Sequence, residues 1–227
     1  TSPHATMYSD YFHISPGLTA SGDFADFGAE EVHFEVNYDW EFVNELEQLL
    51  DENDYQGGTL GERDKHLDHA TMVPLYFINQ FYKDYKLVRI GLSGQSLLAH
   101  YTLGEYIRMT CEHMDRKTVF VASGDLSHRL ADTGPYDYNK DGPEYDKRIM
   151  DVMESGNFYN LFDFTEAFCD NAGECGHRSF VIMAGALDRT MVNAEKLSYE
   201  GPFGVGYGVC AYKVIGHDNS RNFGDQF

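Results

Sequence analysis

Thr118-Val119-Phe120-Val121-Ala122-Ser123-Gly124-Asp125-Leu126-Ser127-His128 (TVFVASGDLSH) is the stretch whose reading decides the fold. Its first five residues are β-branched, aromatic or small and apolar, the composition of a short buried strand at a central sheet position. Ser123 and Gly124 end that strand. The chain then turns through Asp125, Leu126, Ser127 and His128. This sets a carboxylate and an imidazole just past the carboxyl end of a strand, where open α/β sheets bind ligands. Histidine exchanges protons near neutral pH, and a nearby carboxylate fixes its tautomer. A plainer alternative, with Asp125 capping the turn and His128 an ordinary surface histidine, fits this stretch equally well.

Outward from this stretch, strands and helices alternate. Lys86 to Gly91 (KLVRIG) reads as a strand, followed by a helix from about Ser96 to Met114 with Leu103, Ile107 and Cys111 in register. Nearer the start, Tyr11 to Ile14 and Val32 to Val36 read as short strands. Asp39 to Asp51 places Phe42, Val43, Leu46, Leu49 and Leu50 on one helical face. Asn53 to His66 is a polar, glycine-containing loop. The segment from Leu67 to Pro74 leads into a helix carrying Leu75, Tyr76, Ile78 and Phe81. Proline is tolerated in a first turn, so Asp68 and His69 stand at that helix's N-terminus. Beyond His128 come a loop over Leu130 to Gly142, a helix over Glu144 to Glu154 and another over Phe158 to Ala167. Phe180 to Leu187 is apolar and buried. Gly201 to Gly216 reads as a closing strand whose glycines mark a place where another backbone passes close.

Composition narrows the function. A chain of 227 residues with 42% hydrophobic content supports one large α/β domain with a substantial core. A formal net charge of −20 argues against nucleic acids and anionic membranes as partners. No apolar run approaches the ~20 residues of a spanning helix, and no signal peptide opens the sequence. Cys111, Cys169, Cys175 and Cys210 lack the dense spacing of a disulfide framework, so a reducing cytoplasm is expected. Cys169 and Cys175 are the pair that could bridge or bind metal. The tail glycines do not form GxGxxG, which excludes a dinucleotide loop, and no GxSxG nucleophile elbow occurs.

Several of the ten histidines stand in turns beside carboxylates. His4 follows Ser2-Pro3, His69 follows Asp68 and His128 follows Asp125, while Glu174 lies beside Cys175 and His177. Such residues at strand ends and helix starts point to one converging site. Two histidines and a carboxylate on one face of a metal are the ligand set of non-haem Fe(II) oxygenases. A hydrolase using a divalent metal to activate water is a further option.

Taken together, SPHATM around His4, LDHATMVPLYF around His69, SGDLSH around His128, GPEYD at 142–146, and Glu174 followed by FVIMAGAL resemble the class III extradiol ring-cleavage dioxygenases. This is the LigB-type superfamily, and the nearest likeness is to its bacterial Memo-like, AMMECR1-associated branch. The resemblance spans almost the whole chain. It implies a single three-layer α/β domain over 1–216, with a central mixed, mostly parallel sheet flanked by helices, and a polar tail or linker over 217–227. It implies Fe(II), or another divalent metal, held by His4 and Glu174. His128 becomes the acid and base near substrate and O2, His69 a second active-site histidine, and Asp125 a further catalytic residue. The implied substrates are a small aromatic diol and O2. Asp125 stands where ring-cleaving members often carry glycine, which favours the alternative of a Memo-like metal protein working with an AMMECR1-type or radical-enzyme partner. The family's other metal histidine lies in a PHPP-type segment ahead of SPH. Its absence from residues 1–227 predicts an N-terminal strand and ligand segment upstream, with His13, Cys175 or His177 as substitutes.

Overall fold

The computed structural model describes residues 1–134 and 136–224. In chain order the regular elements are β1 (Phe12–His13), β2 (Thr19–Phe24), β3 (Ala29–Asn37), α1 (Trp40–Glu52), β4 (Gly57–Gly58), α2 (His69–Ile78), α3 (Leu97–His113), α4 (Asp141–Ser155), α5 (Glu166–Ala172), α6 (His177–Ala186), β5 (Thr190–Glu200) and β6 (Tyr207–His217). The α/β class expected from the sequence is the class observed. The strands, however, form three separate pairs: β1 with β4 in parallel, β2 with β3 and β5 with β6 antiparallel. Around them lie single parallel bridges, Ser2 to Gly91, Tyr8 to Ser93 and Tyr38 to Leu87.

The periodic helices form where their apolar faces predict. Asp39 caps α1 by accepting from the Phe42 N–H, and the helix buries Phe42, Val43, Leu46 and Leu50 against Ile90, Leu103 and Ile107. Ser96 caps α3 through the Ala99 N–H. Helices α3 and α6 meet backbone to backbone. A Cβ on Gly104 would stand 2.0 Å from the Ile182 carbonyl oxygen, and one on Gly185 only 1.9 Å from that of Tyr101. A second core packs α4 and α6 around Tyr145, Ile149, Phe158, Leu161 and Val181. A third joins β3 to α2 through Phe34, Val36, Met72 and Leu75.

Two expectations are corrected. Thr118 to Ala122 is not a buried strand: among the described residues it belongs to no ladder, and Val119 is 85% exposed. The helix expected over Phe158 to Ala167 is a 3-10 segment, Phe158–Asp163, followed by α5, because Thr165 starts a new helix by accepting from the Phe168 N–H. The apolar stretch from Phe180 is buried as expected, in the body of α6, which starts at His177. At the tail glycines another backbone does pass close, as expected: a Cβ on Gly204 would lie 2.7 Å from the Gly134 Cα, and Gly206 donates to the Ser127 carbonyl and accepts from the Leu126 N–H. The tail strand itself forms as β6, paired with β5, a strand whose polar sequence hid it. Of the expected tail, Phe223 is buried and its N–H donates to the Tyr101 hydroxyl, while residues 225–227 lie outside those described.

His100 ties α3 to the bridge region. It is fully buried, edge-on to Phe12, with Nδ1 2.8 Å from the Ser96 carbonyl and Nε2 accepting from the Ser93 N–H. Neutral imidazole satisfies both contacts, and burial pulls its pKa down to about 4. The folded pKa lies below the unfolded one, so the stabilisation is present above pH ~6.5 and is lost as pH falls toward 4. Urea midpoints measured from pH 7 to 4 should therefore fall, by up to about 3 kcal/mol of stability. The His100→Gln variant should show a flatter profile; an unchanged slope would assign the loss to other groups.

Candidate active site and its relatives

Two turns remote in sequence build the site. Gly124 adopts φ +153°, and a Cβ there would lie 2.3 Å from the Gly176 Cα, so the two backbones touch. Contact at that range lets the Asp125 carbonyl accept from the Gly176 N–H at 3.1 Å and the Cys175 N–H at 3.3 Å, while the Asp125 N–H points at Cys175 Sγ at 3.2 Å. Ser127 anchors the next residues. Its buried hydroxyl donates to the Ala172 carbonyl, and its N–H donates to Asp146 Oδ1.

His128 is thereby fixed at both ring nitrogens. Nδ1 meets the Gly173 carbonyl, which places a proton on that nitrogen in the neutral ring, and Nε2 stands 3.4 Å from Asp125 Oδ2. The Asp125 carboxylate raises the His128 pKa, against an opposing contribution from burial. Neutral His128 thus presents an Nε2 lone pair, and once protonated it is stabilised by the adjacent carboxylate. Glu174, partly buried, accepts from the His177 N–H at 2.6 Å. Burial pushes its pKa up to about 7, against the opposing pull of the His177 N–H, Arg178 and His128.

His4 and His69 form the other half. Their rings lie 4.2 Å apart between centroids at 38°. Burial and then His69 lower the His4 pKa, while Asp68 and Asp125 pull it upward. Asp125 and His128 also act electrostatically on His4, in opposite directions. Asp68 is structural: it caps α2 through the Thr71 N–H, accepts from the Ser2 hydroxyl and lies 3.6 Å from Arg89.

Among the described residues one group has metal-ligand spacing: ligand atoms of Asp125, His128 and Cys175 lie within 4.8 Å of one another. Carboxylate, imidazole and thiol together suit a borderline transition metal. Burial pushes the Cys175 thiol up to about 12, so a metal would have to displace its proton. His4 and Glu174 do not belong to a common three-ligand group among the described residues. Of the substitutes considered, His13 is buried with Nδ1 on the Leu60 carbonyl, and His177 sits between the Leu161 carbonyl and the Tyr145 hydroxyl. Both serve the interior, leaving Cys175 at the site. Sequence reasoning missed two aromatic neighbours, Tyr136 edge-on to His128 and Phe27 edge-on to His69. Phe27 comes from the short 3-10 turn Ala25–Phe27 and Tyr136 from a loop, neither long enough to show a period. All four cysteines are free thiols.

This geometry has relatives. The chain is 37% identical over 235 residues to Protein CA_C1420 of Clostridium acetobutylicum, an alignment covering 96% of this chain and 48% of that protein. It is 25% identical over 170 residues to the 3,4-dihydroxyphenylacetate 2,3-dioxygenase of Escherichia coli, covering 68% of this chain and 61% of the enzyme. The chain thus spans about half the length of the first and less than two thirds of the second. The family described as the catalytic LigB subunit of aromatic ring-opening dioxygenase matches residues 2–210. The chain therefore belongs to the LigB family of aromatic ring-opening dioxygenases.

Proposed function

We propose that this chain is the catalytic domain of a non-haem Fe(II)-dependent extradiol-type dioxygenase acting on a catecholic substrate and O2 in the cytoplasm. The reading is supported by the His4–His69 ring pair, the Asp125–His128 pair and the electrostatic influence of Asp125 and His128 on His4, in a chain of this family. His4 and Glu174 are assigned to hold the metal. A partly buried carboxylate with a raised pKa is a fitting counter-charge for a cation. Bound Fe(II) would supply the redox chemistry that joins O2 to the diol.

The chain's own residues handle orientation and protons. His128 Nε2 takes a proton from a substrate hydroxyl and returns it as the ring opens, its Nδ1–H held by the Gly173 carbonyl. Asp125 stabilises the imidazolium formed in between. His69, against His4, is the second proton-handling group. Tyr136 and Phe27 flank the two histidines and suit a flat aromatic ring. Both atoms of O2 enter the product, so no external reductant is consumed.

A second reading rests on Asp125 and Cys175 standing together beside His128. In it the chain is a Memo-like metal protein that works with an AMMECR1-type or radical-enzyme partner and cleaves no ring. Anaerobic loading with Fe(II), followed by oxygen-electrode and absorbance assays with 3,4-dihydroxyphenylacetate and a panel of catechols, separates the two. On the first reading one O2 disappears per diol. His4→Ala or Glu174→Gln loses the metal, and His128→Gln keeps it while kcat falls by about 10²–10⁴-fold. A fully loaded protein inert to every diol would favour the second. In the metal-free protein, Asp125→Asn should lower the His128 titration midpoint seen by NMR, because the carboxylate that favours the imidazolium is gone.

A further inference from the structure

Among the described residues, Arg89 is the one lysine or arginine that is buried, with 3% of its side chain exposed. A cation is stripped of water at a large cost unless partners are built around it. Here every nitrogen of the guanidinium is taken. Nε donates to the Ser15 hydroxyl at 2.7 Å, Nη1 to the His66 carbonyl at 2.6 Å and Nη2 to the Asp64 carbonyl at 3.0 Å. The Asp68 carboxylate, 3.6 Å from Nη1, supplies the counter-charge. Ser15 also fixes the base of the side chain, since its N–H donates to the Arg89 carbonyl at 2.9 Å. Asp64, His66 and Asp68 belong to the polar stretch that runs into α2, and His69 is the first residue of that helix. The guanidinium fork thus grips the chain at alternate residues just ahead of His69.

The same short stretch of chain holds His4. The Ser2 N–H donates to the Ile90 carbonyl at 3.0 Å, and Ser2 pairs in parallel with Gly91. Residues 89–91 therefore hold one histidine segment through the backbone and the other through a side chain. A further link ties the two segments to each other: the Ser2 hydroxyl donates to Asp68 Oδ1 and accepts from the His4 N–H at 3.1 Å. Both Asp68 oxygens are committed, Oδ1 to the Ser2 hydroxyl and the Thr71 N–H, Oδ2 to the Thr71 hydroxyl and the Arg89 charge. At the ends of these two arms the rings of His4 and His69 meet, 4.2 Å apart between centroids.

We propose that Arg89 is a positioning residue for the histidine pair: through the loop carbonyls and Asp68 it sets His69 against His4. The inference rests on the function proposed above, in which His4 holds the metal and His69 handles protons. The backbone bonds of Ser2 do not involve the guanidinium, so without it His4 keeps its place and His69 is the ring that drifts. Arg89 contributes geometry more than charge. A planar guanidinium aims its donors along fixed directions, whereas the ammonium of a lysine, a point charge on a flexible stem, cannot serve Ser15, Asp64 and His66 together. A misplacement of ~1 Å is enough to slow a positioned step by about a hundredfold.

The first test needs neither metal nor turnover. With the chain isotopically labelled at histidine, NMR should show a strong ring-to-ring NOE between His4 and His69. Arg89→Lys should lose it while amide dispersion and the urea midpoint show the fold retained. An NOE absent from the parent, or kept at parental strength in the variant, would overturn the proposal. Ser2→Ala cuts the link between Asp68 and the His4 N–H with little change in packing, and should both weaken the NOE and speed exchange of the His4 amide. Should Arg89→Lys fail to fold, Ser2→Ala decides, and an unweakened NOE there overturns the proposal. In the iron-loaded enzyme, Arg89→Lys should lower kcat by about tenfold to a hundredfold and change KM for the diol by less than about threefold. In a His69→Gln background the same substitution should cost little more, because no ring is left to position; full additivity would show that Arg89 acts elsewhere. A loaded parent inert to every diol would count against the dioxygenase reading alone, and the NOE would still decide the positioning.

Discussion

Gly124 lying against Gly176 is the contact on which the rest of the site depends. Neither residue carries a Cβ, so two turns about fifty residues apart in sequence come close enough for both hydrogen bonds to the Asp125 carbonyl. One turn brings Asp125 and His128, the other Glu174 and Cys175. Any side chain at position 124 would force the backbones apart and strain a φ of +153°. Helix α6 starts at once beyond the contact, with its first N–H taken by Glu174, so the same approach also sets the angle of a core helix.

Asp146 extends that constraint outward. Nearly fully buried, it accepts from the Ser127 N–H on one oxygen and from the Tyr199 hydroxyl on the other, so α4 holds the site turn and β5 together. Burial raises its pKa, and those two donors oppose the rise. A buried carboxylate is tolerable when its lone pairs are taken. Glu174 has fewer protein partners and the larger rise, which distinguishes a carboxylate placed for the frame from one placed at the candidate centre.

The helices were legible because their signal is local. Phe42, Val43, Leu46 and Leu50 state α1 by spacing alone, and Asp39, Asp68, Ser96 and Thr165 each cap a helix by a contact three residues away. The strands were legible only in part, with β1, β3 and β6 read from sequence and others not, because a strand's state depends on what lies beside it. TVFVA carries every local mark of a buried strand, yet Val119 lies exposed for want of a neighbour, whereas the polar β5 is a strand because β6 pairs with it. For the site, carboxylate–histidine spacing picked out His128 with Asp125, and the tilted ring contact of His4 with His69 emerged only from the fold. Tyr136 and Phe27 left no trace in sequence, since a loop and a three-residue 3-10 turn have no period to read.

The burial that suppresses ionisation of Cys175 has a chemical consequence for a centre proposed to handle O2. Sulfur is oxidised chiefly as thiolate, and climbs from sulfenic to irreversible sulfonic acid from that form. Held near a pKa of about 12, this thiol stays protonated through the physiological range and is a poor nucleophile toward peroxide. Only displacement of its proton, as by an arriving cation, would expose the sulfur to oxidation, so the protein's resistance to oxidative inactivation is tied to what occupies the space between Asp125 and His128.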